Sequence, residues 1–215
     1  MSPHGDASDP YGLIVAGPLL EVAVVEHLRA WLPAYRVEVV RQFNEQTGAS
    51  VPDTALKPIR SFVSAAAFDK LPEDQMPCIV LESPGLTDKP EVRGDGQVDM
   101  TFGLVIGVVS PGKDADDTRL TNRLYGTAIA AIMVQQRVQH PSVSTVTLTD
   151  LAYDAIPFDE HRTIAATRAT FDVVMPNVLN RRAGPLEPPA DPLASHPAPF
   201  IAETVDVTLG PYPSS

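Results

Sequence analysis

Apolar residues recur along this chain with two periods, every second residue in some stretches and every third or fourth in others, and the switches between them predict the elements. The plainest stretch follows the turn residues Arg93-Gly94-Asp95-Gly96. Val98, Met100, Phe102, Leu104, Ile106 and Val108 are all apolar, which predicts a strand over 97–109 with one buried face. Its other face changes character midway. Gln97, Asp99 and Thr101 suit water, whereas Gly103, Val105, Gly107 and Val109 form a small apolar strip that a helix or another subunit has to cover. Gly103, Val105 and Gly107 are therefore candidate interface residues, with the two glycines expected to mark a close neighbour.

Upstream, Gly17-Pro18 opens a helix with proline in a tolerated early position, Leu20, Val24, Leu28 and Trp31 form its apolar stripe, and Pro33 is expected to close it. Tyr35, Val37, Val39 and Phe43 alternate with polar residues and predict a half-buried strand; 47–58 reads as loop, and 59–68 as strand or short helix. A short strand is expected at 78–82, ended by Ser83-Pro84-Gly85. After Ser110-Pro111-Gly112, the carboxylates Asp114, Asp116 and Asp117 suit the start of a helix running to about Arg137. Leu120, Leu124, Ala128 and Ile132, widened by Tyr125, Ile129 and Met133, give it a face broad enough to cross a sheet. Val146 and Leu148 then alternate with threonines, and Ala165, Thr167, Ala169, Phe171, Val173 and Met175 mark the buried face of a last strand over 163–175.

Hairpin-length connections outnumber helical crossovers, so the expected fold is α+β: a mainly antiparallel sheet, two principal helices on one face, and an extended C-terminal arm. The expected organisation is an N-terminal segment 1–17, a domain 18–183, a proline-rich linker 184–199 and a strand-like arm 200–215. Phe200, Val205, Val207 and Leu209 in that arm are further interface candidates, either added to a neighbour's sheet edge or folded back on their own domain.

The formal net charge of -11 speaks against a large nucleic-acid footprint, which depends on clustered Lys and Arg. Cys78, the single cysteine, lies in the apolar run Cys78-Ile79-Val80-Leu81 and reads as a buried, reduced thiol. With no signal-like N-terminus and no apolar run of roughly 20 residues, a soluble, unexported chain is expected. Tyr153-Asp154 and Asp159-Glu160-His161 place carboxylates and a histidine in one polar loop, the only arrangement here that an enzyme could use. Neighbouring residues seldom aim at one point, and no second histidine stands at a ligand spacing, so no metal or cofactor is expected. His27 reads as an ordinary helical residue, and Arg93-Gly94-Asp95 as part of a turn.

Taken in order, Met76-Pro77-Cys78-Ile79-Val80-Leu81 with Ser83-Pro84-Gly85, the Arg93-Gly94-Asp95-Gly96 turn into a long strand, the Asp117-Thr118-Arg119 helix carrying Tyr125, and Arg162-Thr163 before Asn180-Arg181-Arg182-Ala183-Gly184-Pro185 resemble the tail terminator proteins of long-tailed, siphovirus-type bacteriophages, especially those of actinobacterial phages. The resemblance spans about 19–185. It implies a structural virion protein and no enzyme: a hexameric ring that caps the tail tube, ends its polymerisation and offers a surface to the head-completion or connector protein. It further implies a virion location at the neck, host cytoplasm during assembly, and DNA passing through the lumen without specific binding or any membrane. On that reading Asp88, Glu91 and Asp95 are candidates for the lumen wall. Related head-to-tail connector and tail-completion proteins share the size and character, and a small cytosolic enzyme using Asp154, Asp159, Glu160 and His161 is the remote alternative.

Overall fold

The computed structural model describes residues 15–64, 75–111, 115–138, 143–159 and 162–181. The chain divides into two units after Arg182. The linker 184–199 and the arm residues Phe200, Val205, Val207 and Leu209 lie outside the described residues, as does most of the N-terminal segment 1–17. The first unit is α+β, as the patterning predicts: helices α1 (Ala16–Thr47) and α2 (Ala115–Gln135) pack on a mostly antiparallel sheet. Its strands are β1 (Ser61–Ser64), β2 (Cys78–Leu86), β3 (Glu91–Val92), β4 (Gln97–Pro111), β5 (Thr145–Asp159) and β6 (Arg162–Asn180), in the order β1-β2-β4-β6-β5 with β3 paired to β4. Only the β1–β2 pair is parallel.

Register explains the core. Leu104, Ile106 and Val108 of β4 stand beside Leu81 and Ile79 of β2 on one side and Phe171, Ala169 and Thr167 of β6 on the other, and the apolar members of this set are buried beneath the two helices. From α1 come Leu20, Val24, Leu28, Leu32 and Val40; from α2 come Leu124, Tyr125, Ile129, Ile132 and Met133. The Tyr125 hydroxyl, fully buried, donates to the Lys57 carbonyl and so ties the loop after α1 to α2. Burial pushes its pKa well above the usual phenol range, so it stays a donor.

One expected element is overturned. The segment around Tyr35–Phe43 is not a strand, and Pro33 does not close the first helix: α1 runs on through both to Thr47. Pro33 removes one backbone N–H from the helical ladder. Against that loss, Tyr35, Val39 and Phe43 stand four residues apart, a helical spacing as well as an alternating one, and all three pack on the core while Val37, which only the strand reading would bury, is exposed. The helix ends at Gly48, whose φ of 70° suits glycine and whose N–H donates to the Asn44 carbonyl. Asn44 also clamps both backbone groups of Val51.

Two strand ends are extended as well. β2 does not stop at Ser83-Pro84-Gly85; it absorbs one extra residue as a bulge between Glu82 and Gly85 and continues to Leu86. The Ser83 N–H donates to the Glu21 carboxylate and its hydroxyl to the Gly103 carbonyl. The expected polar loop at 153–161 is instead mostly strand, because β5 stays paired with β6 as far as Asp159↔Arg162.

α2 comes closest to the sheet at Gly126. A Cβ there would lie 2.5 Å from Thr167 Oγ1 and 2.9 Å from a ring carbon of Tyr153. Thr167 cannot easily yield, since its hydroxyl donates to the Ala152 carbonyl at 3.2 Å. Alanine is the better helix former by about 1 kcal/mol, but overpacking costs about 1 to 3 kcal/mol. Gly126→Ala is therefore expected to lower the thermal midpoint; a variant as stable as the parent, or more so, would show that α2 rides higher on the sheet.

Candidate functional site

A single layer of helices leaves the sheet with a second face, and the interface candidates lie on it. Gly103, Val105, Gly107 and Val109 of β4 alternate with the core residues and stand beside Glu82, Val80 and Cys78 of β2 and Asp172, Thr170, Arg168 and Ala166 of β6. The strip is not uniform. At one end Met76, Cys78 and Val109 are buried in a small apolar cluster of their own with Val80 packed against it. Val109 therefore needs no second subunit to cover it. Burial pushes the Cys78 thiol up to about 11, which keeps it protonated and unreactive.

Toward the middle, Val105 and Gly107 are half-buried and Gly103 is buried. Around them Glu82 and Arg168 are exposed, Thr170 and Asp172 half-buried, and Arg168 reaches the Asp150 carboxylate of β5 at 3.5 Å. The centre of this face is thus small and apolar with a charged border. Among the described residues, no close neighbour demands glycine at 107. A Cβ there would sit 3.5 Å from the Thr167 carbonyl oxygen and 3.6 Å from Val80 Cβ, ordinary contact distances. Among the described residues no tight neighbour explains Gly107.

The lumen candidates lie on the β3–β4 hairpin and its approach. Asp88, Glu91 and Asp95 are exposed. Asp95, however, is committed to the turn: its carboxylate accepts the Gln97 N–H at 3.0 Å and pairs with Arg93 at 2.9 Å, and these contacts hold it below the usual carboxylate range. The Gly96 N–H donates to the Arg93 carbonyl, and Gly96 takes a φ of 90°, so the Arg-Gly-Asp tripeptide serves a hairpin turn. Arg93 also reaches Asp99 at 3.7 Å. Asp99 in turn accepts the N–H of Asn177, a left-handed residue (φ 58°) at a bulge in β6. The sequence held a signal for this network only in the turn residues; its partner Asn177 lies far along the chain.

Of the acid–base candidates, the two described ones lie apart on β5. Asp154 stands opposite Ala166 and Asp159 opposite Arg162, five residues apart on an extended strand, which separates their backbones by roughly 16 Å at about 3.3 Å per residue. Glu160 and His161 lie outside the described residues. Among the described residues no group of three His, Cys, Asp or Glu side chains could hold a metal ion, and no helix is long and apolar enough to cross a membrane.

His27 is less ordinary than its sequence context implied. It is buried between α1 and the C-terminal end of α2, beside the Ile132 and Gln136 carbonyls, and its Nε2 has no hydrogen-bond partner among the described residues. Burial lowers its pKa below 6.5 and outweighs the two carbonyls, which act the other way. Because the unfolded histidine binds its proton more tightly than the folded one, its contribution to stability is present above about pH 6.5 and is lost as the pH falls. The thermal midpoint is expected to drop between pH 7.5 and 5.5, and to drop less in His27→Gln. Equal pH slopes for the two proteins would show that His27 is not the group responsible.

No protein-family model matches the chain, and a search of curated proteins found no match.

Proposed function

We propose that the protein is a structural component of a phage virion, a tail terminator: a ring, of six copies on the resemblance, that caps the tail tube, ends its polymerisation and presents a surface to the head-completion or connector protein. The observation that carries this reading is the second face of the sheet, which neither described helix covers. The helix-covered face is filled with large aliphatic and aromatic side chains, whereas the opposite face keeps Val105 and Gly107 half-buried inside a charged border. A surface with a small apolar centre and a polar rim suits burial against another chain. The order of sequence motifs then favours tube-end assembly over other oligomers.

On this reading the arm around Val205 and Val207 docks on a neighbouring subunit, at the end of a proline-rich linker that extends by about 3 Å per residue. DNA passes the lumen without sticking, because Asp88 and Glu91 repel phosphates. The host cytoplasm is where assembly takes place, and the mature location is the neck.

Mixing the purified protein with tail tubes from its own virion and imaging the tube ends tests the reading directly. Rings at one end, with tube growth halted, are the expected outcome; binding to the portal side instead would make the chain another neck protein, and binding to neither would remove the proposal. At Gly107 an added Cβ meets the described residues only at ordinary contact distances, so Gly107→Ala is expected to change the monomer's stability by no more than about 1 kcal/mol while weakening ring formation. A variant that assembles and caps as the parent does would exclude this face from the interface.

The lumen assignment is tested at Asp88 and Glu91, leaving Asp95 to its turn. Asp88→Lys with Glu91→Lys is expected to preserve folding and capping but slow DNA delivery by assembled particles, since each new cation adds attraction to a passing phosphate. Delivery at the parental rate would place the hairpin elsewhere.

A further inference from the structure

The sheet has two outer edges, β1 and β5, and among the described residues no strand pairs with the far side of either. A row of open backbone N–H and C=O groups is a template for another strand. The two edges differ in charge. The stretch 145–159 carries Asp150, Asp154 and Asp159 and neither Lys nor Arg, whereas 54–64 carries Lys57 and Arg60 and neither Asp nor Glu. Lys57 and Arg60 are exposed, and two further cations lie against this segment from α1: Arg29 sits 4.8 Å over the Phe62 ring, and Arg36 donates to the Leu56 carbonyl. Glu21 and Glu26 share the groove between α1 and β1 with Arg29, but Glu21 is already bonded to the Ser83 N–H. Asp150 meets Arg168 at 3.5 Å with both side chains more than half exposed, a contact too weak to remove its charge from the edge.

We propose that these edges are the two halves of one head-to-tail interface, in which β1 of one copy pairs with β5 of the next. Pairing β5 with β5 is disfavoured because it sets one acidic edge against another, and pairing β1 with β1 would bring together the Lys57 and Arg60 that precede the strand. Pairing unlike edges leaves one free edge of each kind on every dimer, so the contact repeats and closes into a ring when the rotation per subunit allows. β5 carries an irregularity between Leu148 and Asp150 and another between Pro157 and Asp159, which blunt its ends and leave the regular run 150–156 between them. The four residues Ser61–Ser64 fit within that run.

The inference sets the partner for the proposed ring and rests on that reading only for its biological setting, so its test measures assembly without tubes. One variant carries Lys57→Glu and Arg60→Glu, giving two acidic edges; the other carries Asp150→Lys and Asp154→Lys, giving two basic edges. The native mass of the parent in solution is expected to be that of an oligomer, with weaker association as salt rises. Each variant alone is expected to stay monomeric with an unchanged circular dichroism spectrum, and an equal mixture of the two to regain the oligomer, since every contact then joins unlike edges. A parent that is monomeric at high micromolar concentration, a variant that assembles as the parent does, or a mixture of two folded variants that stays monomeric would each overturn edge pairing. Tube binding, scored separately, distinguishes the two ideas: an oligomer that ignores tubes defeats the terminator function and leaves the interface standing.

Discussion

The pairing of β4 with β6, unbroken from Met100↔Met175 to Pro111↔Ile164, is the constraint on which the rest of the described structure depends. It places two long strands side by side in the centre of the sheet, with the buried face of each built from every second residue. That single register decides which face the helices must cover. Shifting it by one residue would carry Phe171, Val173 and Met175 to the outer face and bring Asp172 beneath α2. α2 follows β4 closely in the chain and settles over β4, β6 and β5, with Gly126 as its nearest approach. α1, by contrast, reaches the sheet at the β2 side and is joined to α2 through Tyr35, whose hydroxyl donates to Gln135 and accepts from Gln136.

Three irregularities in the strands are fastened by a side chain, which helps so long a sheet keep its register through them. Ser83 bonds across the bulge of β2, the Thr149 hydroxyl donates to the Thr170 carbonyl where β5 slips against β6, and Asp99 holds the N–H of Asn177 where β6 gains residues against β4. The slip at Thr149 has a consequence for packing. Val146 and Leu148 face the core before it and Leu151 after it, so the inward positions pass from even to odd without loss of burial. Bulges of this kind add local twist and redirect a strand. The slip at Thr149 and a further irregularity between Pro157 and Asp159 fix how much of the β5 edge remains regular.

Burial raises the pKa of the Tyr125 phenol and the Cys78 thiol and lowers that of His27, whose Nε2 has no partner among the described residues. The charged side chains sit at the border of the open face and along the sheet edges, where opposite signs can set the orientation of an approaching copy while contributing little to the stability of the monomer.

What the sequence determined by itself was everything carried by local period. β4, the face of α2 and the buried positions of β6 were legible because a strand or helix with one buried face must repeat its apolar residues every two or every three to four positions, and a run longer than about ten residues leaves little ambiguity. The Arg93–Gly96 turn was legible from its glycines. The segment 35–43 was not, since Tyr35, Val39 and Phe43 satisfy both periods and only packing on the core chose the helix across Pro33. The bulges at Ser83, Thr149 and Asn177 were equally hidden, because each depends on a bond to a residue on another strand. The candidate face divided along the same line. Alternation in β4 marked Gly103, Val105 and Gly107 as a second face, but only the tertiary structure decided that Val109 is sealed by Met76 and Cys78, that Asp95 is held by its own turn, and that Asp154 and Asp159 lie far apart on one strand. Local sequence sets which side of an element is apolar; which groups then meet is settled by long-range pairing.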